Sequence, residues 1–213
     1  MTFLSLVLSL AALVSGAAAI LADYKENRSL VYVLRPLTMV LIILIALQAA
    51  RSALPSTKYL ILAGLCACLA GDVFMILRTK KVMAGMASFF IAILLYIGAF
   101  STGLRFSFAF WPLLVLVTYG VFFTKGLLPH LGRKKIPVIF YVAAMTIMAW
   151  LSAERYIQMK ESHALSAYVG AVLFLISDSA WAVNNFVRKR RFTQVLILSS
   201  YFAAQWLIAV SIH

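Results

Sequence analysis

The chain has 213 residues, 64% of them hydrophobic and 12% charged, with a mean hydropathy of +1.01. Soluble domains hold about 45–50% apolar and about 25% charged residues, so a soluble globular domain is excluded, as are a disordered chain and a disulfide-rich secreted scaffold. The net charge of +13 comes from basic residues in short loops between apolar runs, which argues against a nucleic-acid face and leaves a polytopic bundle of spanning helices.

Apolar runs of about 20 residues predict eight spans, at roughly 2–22, 31–50, 58–77, 82–101, 106–124, 136–153, 164–187 and 193–212. The fold class expected is therefore all-α, a single membrane domain over 1–213. The first run ends near Gly16-Ala17-Ala18-Ala19, which resembles a signal-peptidase site. No Lys or Arg precedes it, so it is read as a retained helix. In the third run Cys66 and Cys68 stand two residues apart, on different sides of a helix, and read as buried inert thiols. The fifth run is interrupted by Pro112.

The loops give a direction. The odd-numbered loops carry fourteen of the 19 basic residues, in clusters such as Arg78/Lys80/Lys81 and Arg188 to Arg191; the even-numbered loops carry five. The positive-inside rule then puts the odd loops in the cytoplasm and both termini outside.

Four of the six acids, Asp23, Glu26, Glu154 and Glu161, fall at span ends beside Lys25, Arg28, Arg155 and Lys160, and read as solvated loop charges. Asp72 and Asp178 do not. Counted from the basic ends of their spans they lie roughly 8 Å and 15 Å deep. A central Asp costs on the order of 3 kcal/mol on insertion scales, so each should face a polar cavity or a partner. Helix periodicity supplies companions: Asn185 seven residues after Asp178, Arg35 beside Pro36, Tyr96 in span four, Tyr141 in span six, and Tyr201 with Gln205 on one stripe of span eight, which also carries Gln194. For the tyrosines and glutamines taken singly, helix–helix hydrogen bonding is the plainer reading. For Arg35 the alternative is snorkelling to the interface.

Spans two and three repeat in spans six and seven: Arg35-Pro36, Gly71-Asp72 and a basic cluster against Lys135-Ile136-Pro137, Ser177-Asp178 and a basic cluster. This suggests parallel halves, about 1–105 and 106–213, related by an axis along the membrane normal. Such symmetry would bring the two Asp to one central cavity.

The three histidines, His130, His163 and His213, all lie outside the spans, so a membrane zinc site or a Ser-His-Asp triad is not expected. No phosphate-cradling Gly-rich loop occurs. Three options survive: two carboxyls doing acid–base work, a proton- or cation-coupled transport or lipid-binding site, or a structural pair.

At these residues the chain resembles the YhhN family of membrane proteins, which includes the lysoplasmalogenases. The resemblance is carried by Arg35-Pro36-Leu37-Thr38, Gly71-Asp72-Val73-Phe74, Pro137-Val138-Ile139-Phe140-Tyr141, Gly170 to Asp178, and Tyr201-Phe202-Ala203-Ala204-Gln205, spread from span two to span eight. It implies an eight-helix hydrolase in the bilayer that cleaves the vinyl ether bond of a lysophospholipid substrate, releasing a fatty aldehyde and a glycerophospho-ethanolamine or -choline. It implies no metal and no organic cofactor. At one position the chain departs: Ile93 stands three residues before Tyr96, where members often carry His.

Vinyl ether hydrolysis suits a carboxyl pair. Its slow step is proton delivery to the β-carbon, which makes an oxocarbenium ion. Burial disfavours carboxylate charge and so favours an acid that holds a proton. The expected acid is Asp178, with Asp72 stabilising the cation and deprotonating water. Arg35, Asn185 and the basic cluster would hold the phosphate, with Tyr96, Tyr141, Tyr201 and Gln205 as further binding residues.

Overall fold

A computed structural model describes residues 3–48, 55–77, 82–105 and 108–212. They form eight α-helices: α1 Phe3–Tyr24, α2 Arg28–Leu47, α3 Pro55–Ile76, α4 Val82–Ser101, α5 Phe110–Leu127, α6 Lys135–Met159, α7 Ser162–Phe186 and α8 Arg191–Val210. All eight are long and apolar enough to cross a membrane, and no strand occurs among the described residues. Arg51, Arg78, Lys80, Lys81 and His213 lie outside the described residues.

The eight predicted runs correspond one to one with these helices. The start of α5 follows from its proline. Pro112 sits in the first turn, where a missing N–H breaks no helical bond. The largest difference is at the end of α6, which runs six residues past the predicted 153. Its extension carries Glu154, which is fully buried and not a solvated loop charge as the sequence suggested. The carboxylate accepts the Ala109 N–H at 2.7 Å and the Gln158 amide at 3.0 Å. Next to it, Arg155 donates to the Thr102 carbonyl at 2.9 Å. An acid can be buried here because its oxygens meet donors. Asp23 also departs from expectation, being half-buried in the last turn of α1.

The helices close into a ring. α1 packs on α2, α2 on α3, α3 on α4, α4 on α6, α6 on α7, α7 on α8, and α8 back on α1, with α8 also reaching α2 and α3. α5 stands outside, mainly against α6, and buries only Gly120 and Leu127. In a bilayer, where lipid tails are as apolar as leucine, helices associate through close packing of small residues and interhelical hydrogen bonds. The buried face of α1 fits that rule: Ser5, Ala12, Ser15, Gly16, Ala19 and Ala22. Its Ser15 hydroxyl pairs with Thr38 of α2 at 2.9 Å, and the Trp206 indole of α8 donates to Ser9 at 3.0 Å.

Two of the glycines sit at tight contacts between helices. A Cβ at Gly64 would fall 2.4 Å from the Tyr96 ring, and one at Gly170 would fall 3.0 Å from the Ala204 carbonyl oxygen. The first joins α3 to α4 and the second joins α7 to α8. Cys68 is buried and Cys66 is exposed, so the two thiols point to different sides of α3, and only Cys68 is the buried thiol that the sequence suggested.

Candidate active site

Asp72 is fully buried near the end of α3. Arg35 of α2 donates from Nη2 to Oδ1 at 2.8 Å, and the Tyr201 hydroxyl of α8 donates to Oδ2 at 2.7 Å. Both carboxylate oxygens are thus engaged, one by a cation. Pro36 follows Arg35 directly and lies inside α2; its ring removes one helical hydrogen bond beside the ion pair. Arg35 therefore points inward to a partner, and does not snorkel.

Asp178 of α7 accepts a hydrogen bond from the Tyr141 hydroxyl of α6. No cation within salt-bridge distance accompanies it among the described residues, whereas Asp72 has Arg35. Ser177, beside it, donates to the Ile197 carbonyl at 2.9 Å and so ties α7 to α8. Ser179 donates to Leu175 and accepts from the Tyr119 hydroxyl at 2.7 Å, which links α5 to α7.

The two aspartates line one cavity of about 340 Å³. Arg35, Tyr141, Asn185 and Tyr201 line it with them, and its apolar wall includes Met75, Met86, Phe89, Met145 and Leu198. Counted from the helix ends, Asp72 lies roughly 6 Å and Asp178 roughly 12 Å in, at 1.5 Å per residue. The other two predicted residues sit elsewhere. Tyr96 donates to Gln205 Oε1 at 2.7 Å in a fully buried layer. That layer is packed by Phe100 and Phe174, whose rings lie 6.2 Å and 6.3 Å from that of Tyr96. Neither Tyr96 nor Gln205 reaches the cavity. Ile93 is buried in the same core.

Residues that periodicity alone did not single out also reach the cavity: Tyr119 from α5, and Trp181 and Asn184 from α7; Lys189, of the basic cluster expected to hold a phosphate, reaches it from the turn beyond. For Asn184 a signal existed, since an Asn184-Asn185 pair in an apolar helix is itself unusual. Among the described residues no three His, Cys, Asp or Glu side chains form a metal-ligating group.

The sequence profile described as the YhhN family matches residues 30–212, which include every cavity residue named above. The chain belongs to the YhhN family. An Escherichia coli O6:H1 relative, "Uncharacterized membrane protein YhhN", is 34% identical over 193 residues, covering 90% of this chain and 91% of that one. Two mammalian relatives match more partially. Lysoplasmalogenase TMEM86A of Bos taurus is 33% identical over 150 residues, 66% of this chain and 60% of its own length. Lysoplasmalogenase TMEM86B of Mus musculus is 35% identical over 129 residues, 60% and 52% of the two chains. No solved structure matches the chain.

Proposed function

We propose that this YhhN protein is a membrane-embedded lysoplasmalogenase-like hydrolase whose reaction takes place between Asp178 and Asp72. The observation that carries the reading is the asymmetry of two carboxyl groups on one cavity. One is ion-paired with Arg35, and the other has a phenol as its partner. The relatives named lysoplasmalogenase supply the substrate class.

In this reading Asp178 holds the proton. It delivers it to the β-carbon of the alkenyl chain, and the electron pair of the C=C bond forms the new C–H bond. The oxocarbenium ion that results is stabilised by the negative charge of Asp72, which Arg35 and Tyr201 hold in place. Because both Asp72 oxygens are already engaged by donors, its role is electrostatic. The water proton returns instead to Asp178, now a carboxylate, as water adds to the α-carbon. The hemiacetal then breaks its C–O bond. The aldehyde leaves with the former hydroxyl oxygen, and the hydroxyl proton goes to the glyceryl oxygen. The balance is one vinyl ether plus one water giving one aldehyde and one alcohol. General acid assistance is typically worth about 10²–10⁴ in rate.

Purified protein in detergent should release aldehyde from a lysoplasmalogen, and Asp178→Asn should lower the release by about 10²–10⁴ while the protein stays folded. Aldehyde release by Asp178→Asn at the wild-type rate would overturn the acid assignment. A proton- or cation-coupled carrier using the same aspartates would release none, and would show flux only across a sealed bilayer.

A further inference from the structure

The cavity extends little beyond Asp178. Phe174, one turn further along α7, is fully buried, as are Tyr96 and Met148 of the same core. Four residues are roughly 6 Å of helix. A lipid chain spans about 15 Å, half of a hydrocarbon core of about 30 Å. A chain whose reacting end lies at Asp178 therefore cannot continue along the bundle axis and has to leave sideways.

One side offers an exit. Three residues of the cavity wall are exposed: Tyr119, Asn185 and Lys189. Asn185 and Lys189 stand at the end of α7 and beyond it. Tyr119 is 37% exposed and lies eight residues before the end of α5, roughly 12 Å in and level with Asp178. A single side chain is thus the wall between cavity and bilayer at hydrocarbon depth. Its ring stacks on that of Phe123, 5.7 Å away, which also lines the cavity.

The seam that Tyr119 closes is lightly held. α5 packs along α6, with no packing of that extent onto α7 among the described residues. The Tyr119 hydroxyl bridges to α7 by donating to Ser179 at 2.7 Å. A hydrogen bond between helices in a membrane shifts an equilibrium by only about threefold on average. Ser179 also donates to the Leu175 carbonyl, so parting the seam leaves it that bond. Elsewhere α5 is anchored. Ala109, just before it, donates to Glu154 and accepts from the Trp150 indole at 3.3 Å. Leu127 is buried at the other end. Midway, a Cβ on Gly120 would fall 3.0 Å from Thr146 Oγ1 of α6. α5 can therefore part from α7 without leaving α6.

We infer that the seam between α5 and α7 is the binding channel for the hydrocarbon chain of a single-chain lipid, which enters the cavity sideways from the bilayer, with the Tyr119–Ser179 hydrogen bond as the latch. The inference rests on the lysolipid hydrolase reading and adds to it the path of the chain. Phe123, Trp181 and Ala182 give the inner end of the channel an apolar surface. Its outer end opens on lipid tails, so the part of the chain that does not fit in the cavity stays in hydrocarbon and loses none of its apolar surroundings.

The test uses full-length protein in phosphatidylcholine vesicles and a non-cleavable saturated alkyl lysolipid with a diazirine part-way along its chain. After irradiation, labelled residues are mapped by mass spectrometry with and without excess unlabelled alkyl lysolipid. Labelling that the competitor removes is expected at Tyr119, Phe123 and Trp181. Labelling of outward residues such as Phe122, which is 70% exposed, should resist competition. Competed labelling at Phe174, or at Gln194 and Val195 near the start of α8, overturns the channel, as does the absence of any competed labelling. A second arm closes the seam. Tyr119→Cys with Ser179→Cys is made in a Cys66→Ala background, which removes the exposed native thiol, and the pair is bridged by a short bis-methanethiosulfonate reagent. Bridging should remove the competed labelling of Phe123 and Trp181, and a reducing agent should restore it. Equal labelling of bridged and reduced protein overturns the channel. Bridging should also stop aldehyde release from a long-chain lysoplasmalogen while sparing an analogue whose chain ends inside the cavity. Long-chain aldehyde release that bridging leaves unchanged would sink this inference alone. Competed labelling at the seam without aldehyde release from any substrate would sink the hydrolase reading and leave the channel.

Discussion

The α2–α3 and α6–α7 pairs of helices solve the same problem in two ways. In each, a polar side chain reaches an aspartate 37 residues further along the chain, Arg35 to Asp72 in the first and Tyr141 to Asp178 in the second. Two glycines at tight helix contacts, Gly64 and Gly170, are 106 residues apart, as are the two aspartates. The frame is alike and the chemistry is not. A guanidinium fixes the charge of one carboxyl and rewards its burial. A phenol gives the other a hydrogen bond and no counter-charge. The difference teaches that two helix pairs of like spacing can give one acid a cation and its counterpart only a phenol.

Breaking the second side should give the largest effect. Asp178→Asn should lower aldehyde release by about 10²–10⁴ with melting temperature in detergent near wild type. Breaking the first side should strike the fold. Arg35→Gln leaves a buried carboxylate without its cation, which typically costs about 3–5 kcal/mol and should appear as a lowered melting temperature and poorer extraction. The double variant Arg35→Gln/Asp72→Asn should recover most of that stability but not the activity, and recovery of both would refute the electrostatic role of Asp72. A smaller effect is expected at Tyr141→Phe. It removes one interhelical hydrogen bond, worth about 0.6 kcal/mol on average in a membrane, so the fold should persist while turnover falls more than melting does. The smallest is Tyr96→Phe. Its hydroxyl serves Gln205 and not the cavity, so activity should stay within about twofold while stability drops by about 0.6 kcal/mol. A tenfold loss of turnover there would place the Tyr96–Gln205 pair in the site after all.

The sequence carried the number and order of the helices because hydropathy alone decides what can cross hydrocarbon. It also carried the aspartates, since an acid inside an apolar run has no cheap explanation. Depth and rotation were harder to read. Tyr201 and Gln205 share a stripe at i and i+4, but one helical turn is about 5.4 Å of height. That one turn separates a residue on the cavity from one in the layer beneath it. Glu154 illustrates a second limit. Its carboxylate is met by the Ala109 N–H and the Gln158 amide, and no window centred on α6 contains the partner from the segment before α5. Lys189 contributes from the turn after α7, whose path is set by a bond from the Arg190 N–H to the Asn184 side chain that hydropathy does not register.

The ion pair has a further meaning for how the molecule is made. Arg35 is translated 37 residues before Asp72, while Tyr201 follows that aspartate by 129. The guanidinium can therefore already be waiting in the translocon's vicinity when the carboxylate arrives, so the costliest charge enters the lipid with its counter-ion at hand. The phenol that completes the pair comes only with the eighth helix, so the Asp72 carboxylate keeps one oxygen without this donor until that last segment joins the bundle.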